Sequence, residues 1–257
     1  IYANYSSGNN TIDGGNNNDI LYVSYSSGSN IVNGGNGDDL VDAISSSGNN
    51  TVDGGNGNDT LYISNSKGNN IVNGGKGDDL VDAGGSSGDN TVNGGSGNDS
   101  LNISYSSGNN TLNGGKGDDN LFAYGATGSN ILNGGKGNDT LTGGFGFDTL
   151  TGGAGDDIFA FLTPTAGSGT ISDFTVGEDS LQITASGFGG GLTAGSLSDL
   201  QFTLGSSATT ADQRFIYNAC TGALSFDQDG SGSGFAQIQI ATLSTGLCLT
   251  ADSFNLV

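Results

Sequence analysis

The sequence predicts an all-β fold: a right-handed parallel β-roll (a β-solenoid) of about 20-residue coils, finished by a small β-rich C-terminal cap. Three observations predict it. A glycine-rich turn, cleanest as Gly74-Gly75-Lys76-Gly77-Asp78-Asp79, recurs with its first glycine at 14, 34, 54, 74, 94, 114 and 134, then at 143 and 152. Each turn leads into a period-2 run: Leu61 and Ile63 face one way, Thr60, Tyr62 and Ser64 the other, which is a short strand. The regular period ends after Phe161-Leu162-Thr163-Pro164, which divides the chain into a repeat array at 1–162 and a C-terminal region at 163–257.

Composition narrows the function classes. The 257 residues include 50 glycines, and Lys+Arg 5 against Asp+Glu 26 gives a formal net charge of -21. A chain this acidic and this modestly hydrophobic stays unfolded until something neutralises it. Without a basic face there is no footprint for nucleic acid. No run is long and apolar enough to span a membrane, and no N-terminal signal peptide is present. Histidine is absent, which removes zinc-protease motifs, Ser-His-Asp triads and histidine acid–base work, and the carboxylates sit in repeats rather than in an asymmetric site. A non-enzyme is expected. The start at Ile1 implies a processed product or a fragment. Ile1-Tyr2-Ala3 aligns with Leu21-Tyr22-Val23, so the first coil is cut open and no polar cap precedes it.

The chemistry lies in the turn. Glycines allow positive φ and close backbone approach, so carbonyls converge, and the closing aspartate adds a hard anionic oxygen. Hard oxygens in number, without soft ligands, suit Ca²⁺. The expected side-chain ligands are Asp19, Asp39, Asp59, Asp79, Asp99, Asp119, Asp139 and Asp157 on one edge, with Asp148 half a coil away on the other. Eight stacked turns leave about seven gaps, hence about seven ions in a row, spaced by the roughly 4.8 Å of a β stack. Asn16-Asn17-Asn18 lacks the third glycine, so the first site is expected to be the weakest.

The rest of each coil reads as structure. Inward residues after the turn are Leu21, Val41, Leu61, Val81, Leu101, Leu121 and Leu141, then Val23, Ala43, Ile63, Ala83, Ile103 and Ala123, which alternate large and small. The return strand adds Ile12, Val32, Val52, Val72, Val92, Leu112 and Leu132, a thin core that leaves much of the stability to metal. On the far edge, Asn10, Asn30, Asn50, Asn70, Asn90, Asn110 and Asn130 share parity with those residues and are expected to form an inward amide ladder. Outward rows (Tyr22, Asp42, Tyr62, Asp82, Asn102 and Phe122 beside Ile20, Leu40 and Leu80; Ile31, Ile71 and Ile131 among threonines) point to contact faces.

The frame G-G-x-G-x-D-x-U-x, with U apolar, resembles the nonapeptide of the RTX (repeats-in-toxin, hemolysin-type) family. The resemblance covers roughly residues 14 to 160 and is weaker beyond them. It implies calcium held between stacked turns, and export of an unfolded chain by type I secretion on an uncleaved C-terminal signal. The weakly charged end at 249–257 is compatible with that route. One departure is that such arrays often carry a calcium turn at both ends of each coil.

In the C-terminal region, Asp173, Glu178 and Asp179 flank a turn that suits either another calcium or a solvated acidic hairpin. Residues 185–205 read as a weakly structured loop, followed by strand-like runs at 214–217, 223–226 and 236–243. Asp227-Gln228-Asp229-Gly230 starts like a calcium loop but lacks the distal glutamate of an EF-hand; a plain hairpin turn is the alternative. Cys220 and Cys248 are an even pair in a chain expected outside the cell, which favours a disulfide.

These features together point to an extracellular or cell-surface calcium-binding structural protein. It is expected to fold on Ca²⁺ and to self-associate, through the open N-terminal end and the apolar outer faces, into a filament, surface layer or matrix. The alternative is a calcium-dependent folding and secretion module of a larger toxin, adhesin or enzyme. An ice-binding solenoid is a third reading, opposed by isoleucines at 31, 71 and 131 that interrupt the threonine rank.

Overall fold

A computed structural model describes residues 1–165, 167 and 169–257. Every coil supplies one long and one short strand. The long strands Thr11–Asn16, Ile31–Asn36, Thr51–Asn56, Ile71–Lys76, Thr91–Ser96, Thr111–Lys116, Ile131–Lys136 and Thr149–Ala154 stack in parallel within a 13-stranded sheet. The short strands, from Ile20–Tyr22 to Ile158–Phe161, stack in parallel within an 11-stranded sheet. Register follows the repeat, Thr11 opposite Ile31 and Leu101 opposite Leu121, until the coil that pairs Ile131 with Thr149. The fold is thus an all-β parallel β-solenoid.

Alternation along the strands fills the space between the sheets. Leu21, Val41, Leu61, Val81, Leu101, Leu121 and Leu141 are fully buried, as are Val52, Val72, Val92, Leu112 and Leu132 of the facing strands. The row Val23, Ala43, Ile63, Ala83, Ile103 and Ala123 is buried as well, its large and small side chains in alternating coils. At the far turn the hydroxyls of Ser26 and Ser46 donate to Ala3 O and Val23 O, each 3.1 Å away, so the buried serines stitch one coil to its predecessor.

Both sheets run on into the C-terminal region. The first continues through Gly169–Ile171 to Ile238–Thr242, then antiparallel through Ala223–Phe226 and Phe215–Asn218, with Phe202–Leu204 at its edge. The second continues through Ser180–Ile183 to Phe254–Leu256, so the 249–257 segment ends in a packed strand after a short 3-10 turn, Ala251–Ser253, with Leu249, Phe254 and Leu256 buried. The core here is aromatic: Phe215 and Phe254 ring centroids are 4.9 Å apart, and Phe188 meets Phe226 edge-on at 5.0 Å.

Two expectations need correction. Residues 185–205 are not merely a loop: they hold a helical turn, Ala185–Phe188, and short strands Gly195–Ser196 and Phe202–Leu204. Phe188, Leu192 and Leu197 are buried and anchor them, an apolar spacing that the surrounding glycines and serines obscured. The expected Cys220–Cys248 disulfide is not formed. Both are free, exposed thiols, Cys220 in a turn and Cys248 in an irregular segment. Among the described residues no helix is long and apolar enough to cross a membrane.

Candidate metal centre

The aspartates of the glycine turns form a single column along one edge of the roll. From Asp39 onward, Oδ1 accepts the backbone N–H of the corresponding aspartate one coil earlier: Asp19 N to Asp39 at 2.7 Å, Asp59 N to Asp79 at 2.8 Å, Asp139 N to Asp157 at 2.8 Å. That bond fixes the carboxylate plane and turns Oδ2 inward. Oδ2 of Asp19, Asp39, Asp59, Asp79, Asp99, Asp119 and Asp139 is buried with no hydrogen-bond partner.

The glycines leave room beside that oxygen. A methyl group on Gly34 would lie 2.4 Å from Asp39 Oδ2 and 2.5 Å from Gly54 O; on Gly134 it would lie 2.3 Å from Asp139 Oδ2 and 2.6 Å from Gly152 O. The absent Cβ therefore leaves a cradle lined by the carboxylate of its own turn and a carbonyl of the next. The second glycine is needed for stacking: Gly35 has φ +111, and a methyl there would meet Gly15 O at 2.2 Å.

A buried anionic oxygen without a partner is strongly unfavourable, so the column is built for a counter-charge. Its donors are carboxylate and carbonyl oxygens, which fit Ca²⁺ and not a soft-ligand metal. When bound, the ion supplies the charge that these oxygens lack. Among the described residues no three acidic, cysteine or histidine side chains gather at one point, because each cradle takes one carboxylate per coil and completes itself with backbone.

The electrostatics agree. Burial pushes Asp79 and Asp119 up to about 7 and Asp59, Asp99 and Asp139 up to about 6; the N–H from the preceding coil opposes the rise, and for Asp79 and Asp119 the carboxylates of adjacent coils add to it. Asp39 and Asp157 are raised for the same reason. At the N-terminal site Asn17 stands at φ 74 where later coils have glycine, and the Gly14 cradle is looser, 3.0 Å from Asp19 Oδ2.

The remaining candidates separate from this column. Asp179 extends it, since its Oδ1 accepts Asp157 N at 3.0 Å, but its Oδ2 accepts Thr175 N at 2.7 Å. Asp173 binds Gly152 N and Gly153 N, at 3.0 and 2.9 Å, with its two oxygens. Both carboxylates thus use backbone N–H groups to close the last turn. Asp148 lies on the opposite edge, where Asn10, Asn30, Asn50, Asn70, Asn90, Asn110 and Asn130 pass a hydrogen bond from each Nδ2 to the next Oδ1 at 2.7–3.0 Å. Asn130 donates to Asp148 Oδ1 at 2.9 Å, and Gly144 N fills Asp148 Oδ2. Asp227 and Asp229 lie apart, at a loop of the C-terminal region, where burial and the charge of Asp229 raise Asp227.

One row escaped the sequence reading. Outside the aspartate column, Asn18, Asp38, Asn58, Asp78, Asn98, Asp118, Asn138 and Asp156 alternate, each Oδ1 up to Asn138 accepting the N–H of its successor at 2.7–2.9 Å. The signal was a forty-residue period laid over the twenty-residue one.

A sequence profile of the RTX calcium-binding nonapeptide repeat, in four copies, matches residues 6–24, 26–43, 44–62, 66–85, 84–102, 106–123 and 124–159, more than half the chain. The chain belongs to the RTX calcium-binding repeat family. The matched ranges of this RTX chain include the glycine turns whose aspartates carry the orphaned oxygens. No curated protein matches the chain in sequence. Among solved structures the RTX chain is similar to the extracellular lipase LipA from Serratia marcescens, at 20% identity, with a TM-score of 0.26. That match covers 85% of this chain and 40% of the lipase, so the chain spans less than half the lipase's length.

Proposed function

We propose that the protein is a non-enzymatic, extracellular structural element that folds when Ca²⁺ fills the aspartate column and then self-associates through its flat outer faces. The column of buried, partnerless Oδ2 atoms carries this reading, because it makes the folded roll unfavourable without a cation and favourable with one. Asp19, Asp39, Asp59, Asp79, Asp99, Asp119, Asp139 and Asp157 are the proposed ligands, with carbonyls such as Gly54 O and Gly152 O completing each site. Sites whose occupancy is linked to folding suit the calcium-rich exterior of a cell.

Self-association rests on the rows of exposed aliphatic side chains. Ile31, Ile71 and Ile131 lie on one face at 55%, 49% and 45% exposure, and Ile20 and Leu80 on the other at 51% and 39%. Titration of the purified chain with Ca²⁺, following circular dichroism and light scattering together, tests both steps. A coil-to-β transition with growth into regular polymers is expected. The same transition with a monodisperse particle would overturn assembly and favour a folding and secretion module of a larger protein. No transition would overturn the calcium step itself.

A further inference from the structure

The two edges of the roll close each half-coil with the same backbone device. At the aspartate edge Asp59 Oδ1 accepts Asp39 N at 2.8 Å and Asp99 Oδ1 accepts Asp79 N at 2.9 Å. At the asparagine edge Asn50 Oδ1 accepts Asn30 N at 3.1 Å and Asn110 Oδ1 accepts Asn90 N at 3.0 Å. Both rows are buried: the column aspartates from Asp39 to Asp139 and the ladder asparagines from Asn30 to Asn130 are each at most 2% exposed. The rows differ in the other atom of the head group. In Asp79 it is an oxygen with no hydrogen-bond partner; in Asn70 it is a nitrogen that donates to Gly68 O at 2.9 Å and to Asn90 Oδ1 at 2.8 Å.

That nitrogen stands among oxygens. Asn110 Nδ2 lies 3.0 Å from Ser106 Oγ, 2.8 Å from Gly108 O and 3.0 Å from Asn130 Oδ1. Asn90 Nδ2 lies 3.0 Å from Gly88 O and 2.9 Å from Asn110 Oδ1. Converging neutral oxygens are also what a hard cation takes, and here amide protons answer them. At the aspartate edge a methyl on Gly74 would lie 2.3 Å from Asp79 Oδ2 and 2.7 Å from Gly94 O, so carboxylate and carbonyl converge with no protein donor between them. The asparagine row ends in a carboxylate, Asp148, which has donors of its own: Asn130 N and Nδ2 at 2.8 and 2.9 Å on Oδ1, and Gly144 N at 2.6 Å on Oδ2. Earlier coils use the N–H in the place of Gly144 differently. Ser66 N is directed at Ser86 Oγ and Ser106 N at Ile103 O, both at 3.2 Å, so neither is free for a carboxylate at 70 or 110.

We infer that the asparagine edge is a cation row filled by its own amide protons, and that the choice of asparagine over aspartate at this one position of each coil confines calcium to a single edge. The inference rests on the calcium reading of the aspartate column. It makes the Asn/Asp choice the determinant of where ions sit, because backbone, burial and neighbouring oxygens are alike on both edges.

Exchanging the two residue types tests it, with ions counted by native mass spectrometry of the full chain in excess Ca²⁺ and β-structure followed by circular dichroism in chelator. Asn70→Asp/Asn110→Asp is expected to hold more ions than the wild type, and an equal count beside a loaded wild type would overturn the inference while leaving the column reading intact. Asp79→Asn/Asp119→Asn sets amide nitrogens beside Gly94 O and Gly134 O. It is expected to hold fewer ions and to keep more β-structure in chelator than the wild type does. Asp79→Ala/Asp119→Ala removes the same charges without supplying amide protons and is expected to lack that gain. A gain as large in the alanine pair, or none in the asparagine pair, would overturn the inference even if Asn70→Asp/Asn110→Asp fails to fold. A wild type that holds no ions would strike the column reading instead.

Discussion

Within each column aspartate the two oxygens have different work. Oδ1 belongs to the fold, because from Asp39 to Asp139 it accepts an N–H from the preceding coil, and Oδ2 is left without a hydrogen-bond partner. The same asymmetry predicts opposite pH responses with and without calcium. In the cation-free roll, Asp79 and Asp119 titrate near 7 and Asp59, Asp99 and Asp139 near 6, above the 3.8 of an ordinary aspartate. A folded-state value raised in this way contributes stability below pH 3.8 that is lost as pH rises through 6 to 7. In chelator, β-structure is therefore expected to strengthen from about pH 7.5 to about pH 4, and circular dichroism that is flat or falls would refute it. Calcium competes with those protons, so its apparent affinity is expected to fall from about pH 7.5 to about pH 4 and to rise as pH increases through 6 to 7.

At the scale of one coil, two edges do different jobs with related residues. The aspartate edge leaves buried oxygens without hydrogen-bond partners, whereas the asparagine edge is internally satisfied: Asn70 accepts from Asn50 and donates to both Gly68 O and Asn90. Asn70→Ala is expected to cost about 1–3 kcal/mol by stranding those groups. The urea midpoint in saturating calcium should fall while the ion count stays constant, and an unchanged midpoint would show that the ladder contributes nothing. Much of this element was legible beforehand, because period and parity suffice to place Leu61 inward, Asn70 on the far edge and Asp79 in the turn. Parity is silent about hydrogen-bond saturation. Asp148 and Asp173 share a residue type with Asp79, yet backbone N–H groups already occupy their oxygens, a difference that depends on which turn ends the stack. The C-terminal strands were found near their places, but Phe188, Leu192 and Leu197 sit among glycines and serines with no periodic partner to mark them.

Across the whole molecule, an aliphatic roll lined by an aspartate column adjoins a region with a core of packed phenylalanines. We propose that residues 1–162 and 163–257 are units of unequal calcium dependence. Hydrogen exchange after chelation is expected to release amides of the stacked coils while Phe215–Asn218 and Ala223–Phe226 retain protection. Uniform loss along the chain would make the molecule one cooperative unit instead. The Asn/Asp alternation from Asn18 to Asp156 also acquires a meaning at this scale. One charge every second coil spaces neighbouring carboxylates at about 10 Å, close to the screening length of physiological saline at roughly 8 Å. A charge on every coil would place them at half that distance, well inside the range of mutual repulsion. Along this outer row the solenoid thus carries one charge per pair of coils, so its fringe repeats every two coils and not every one.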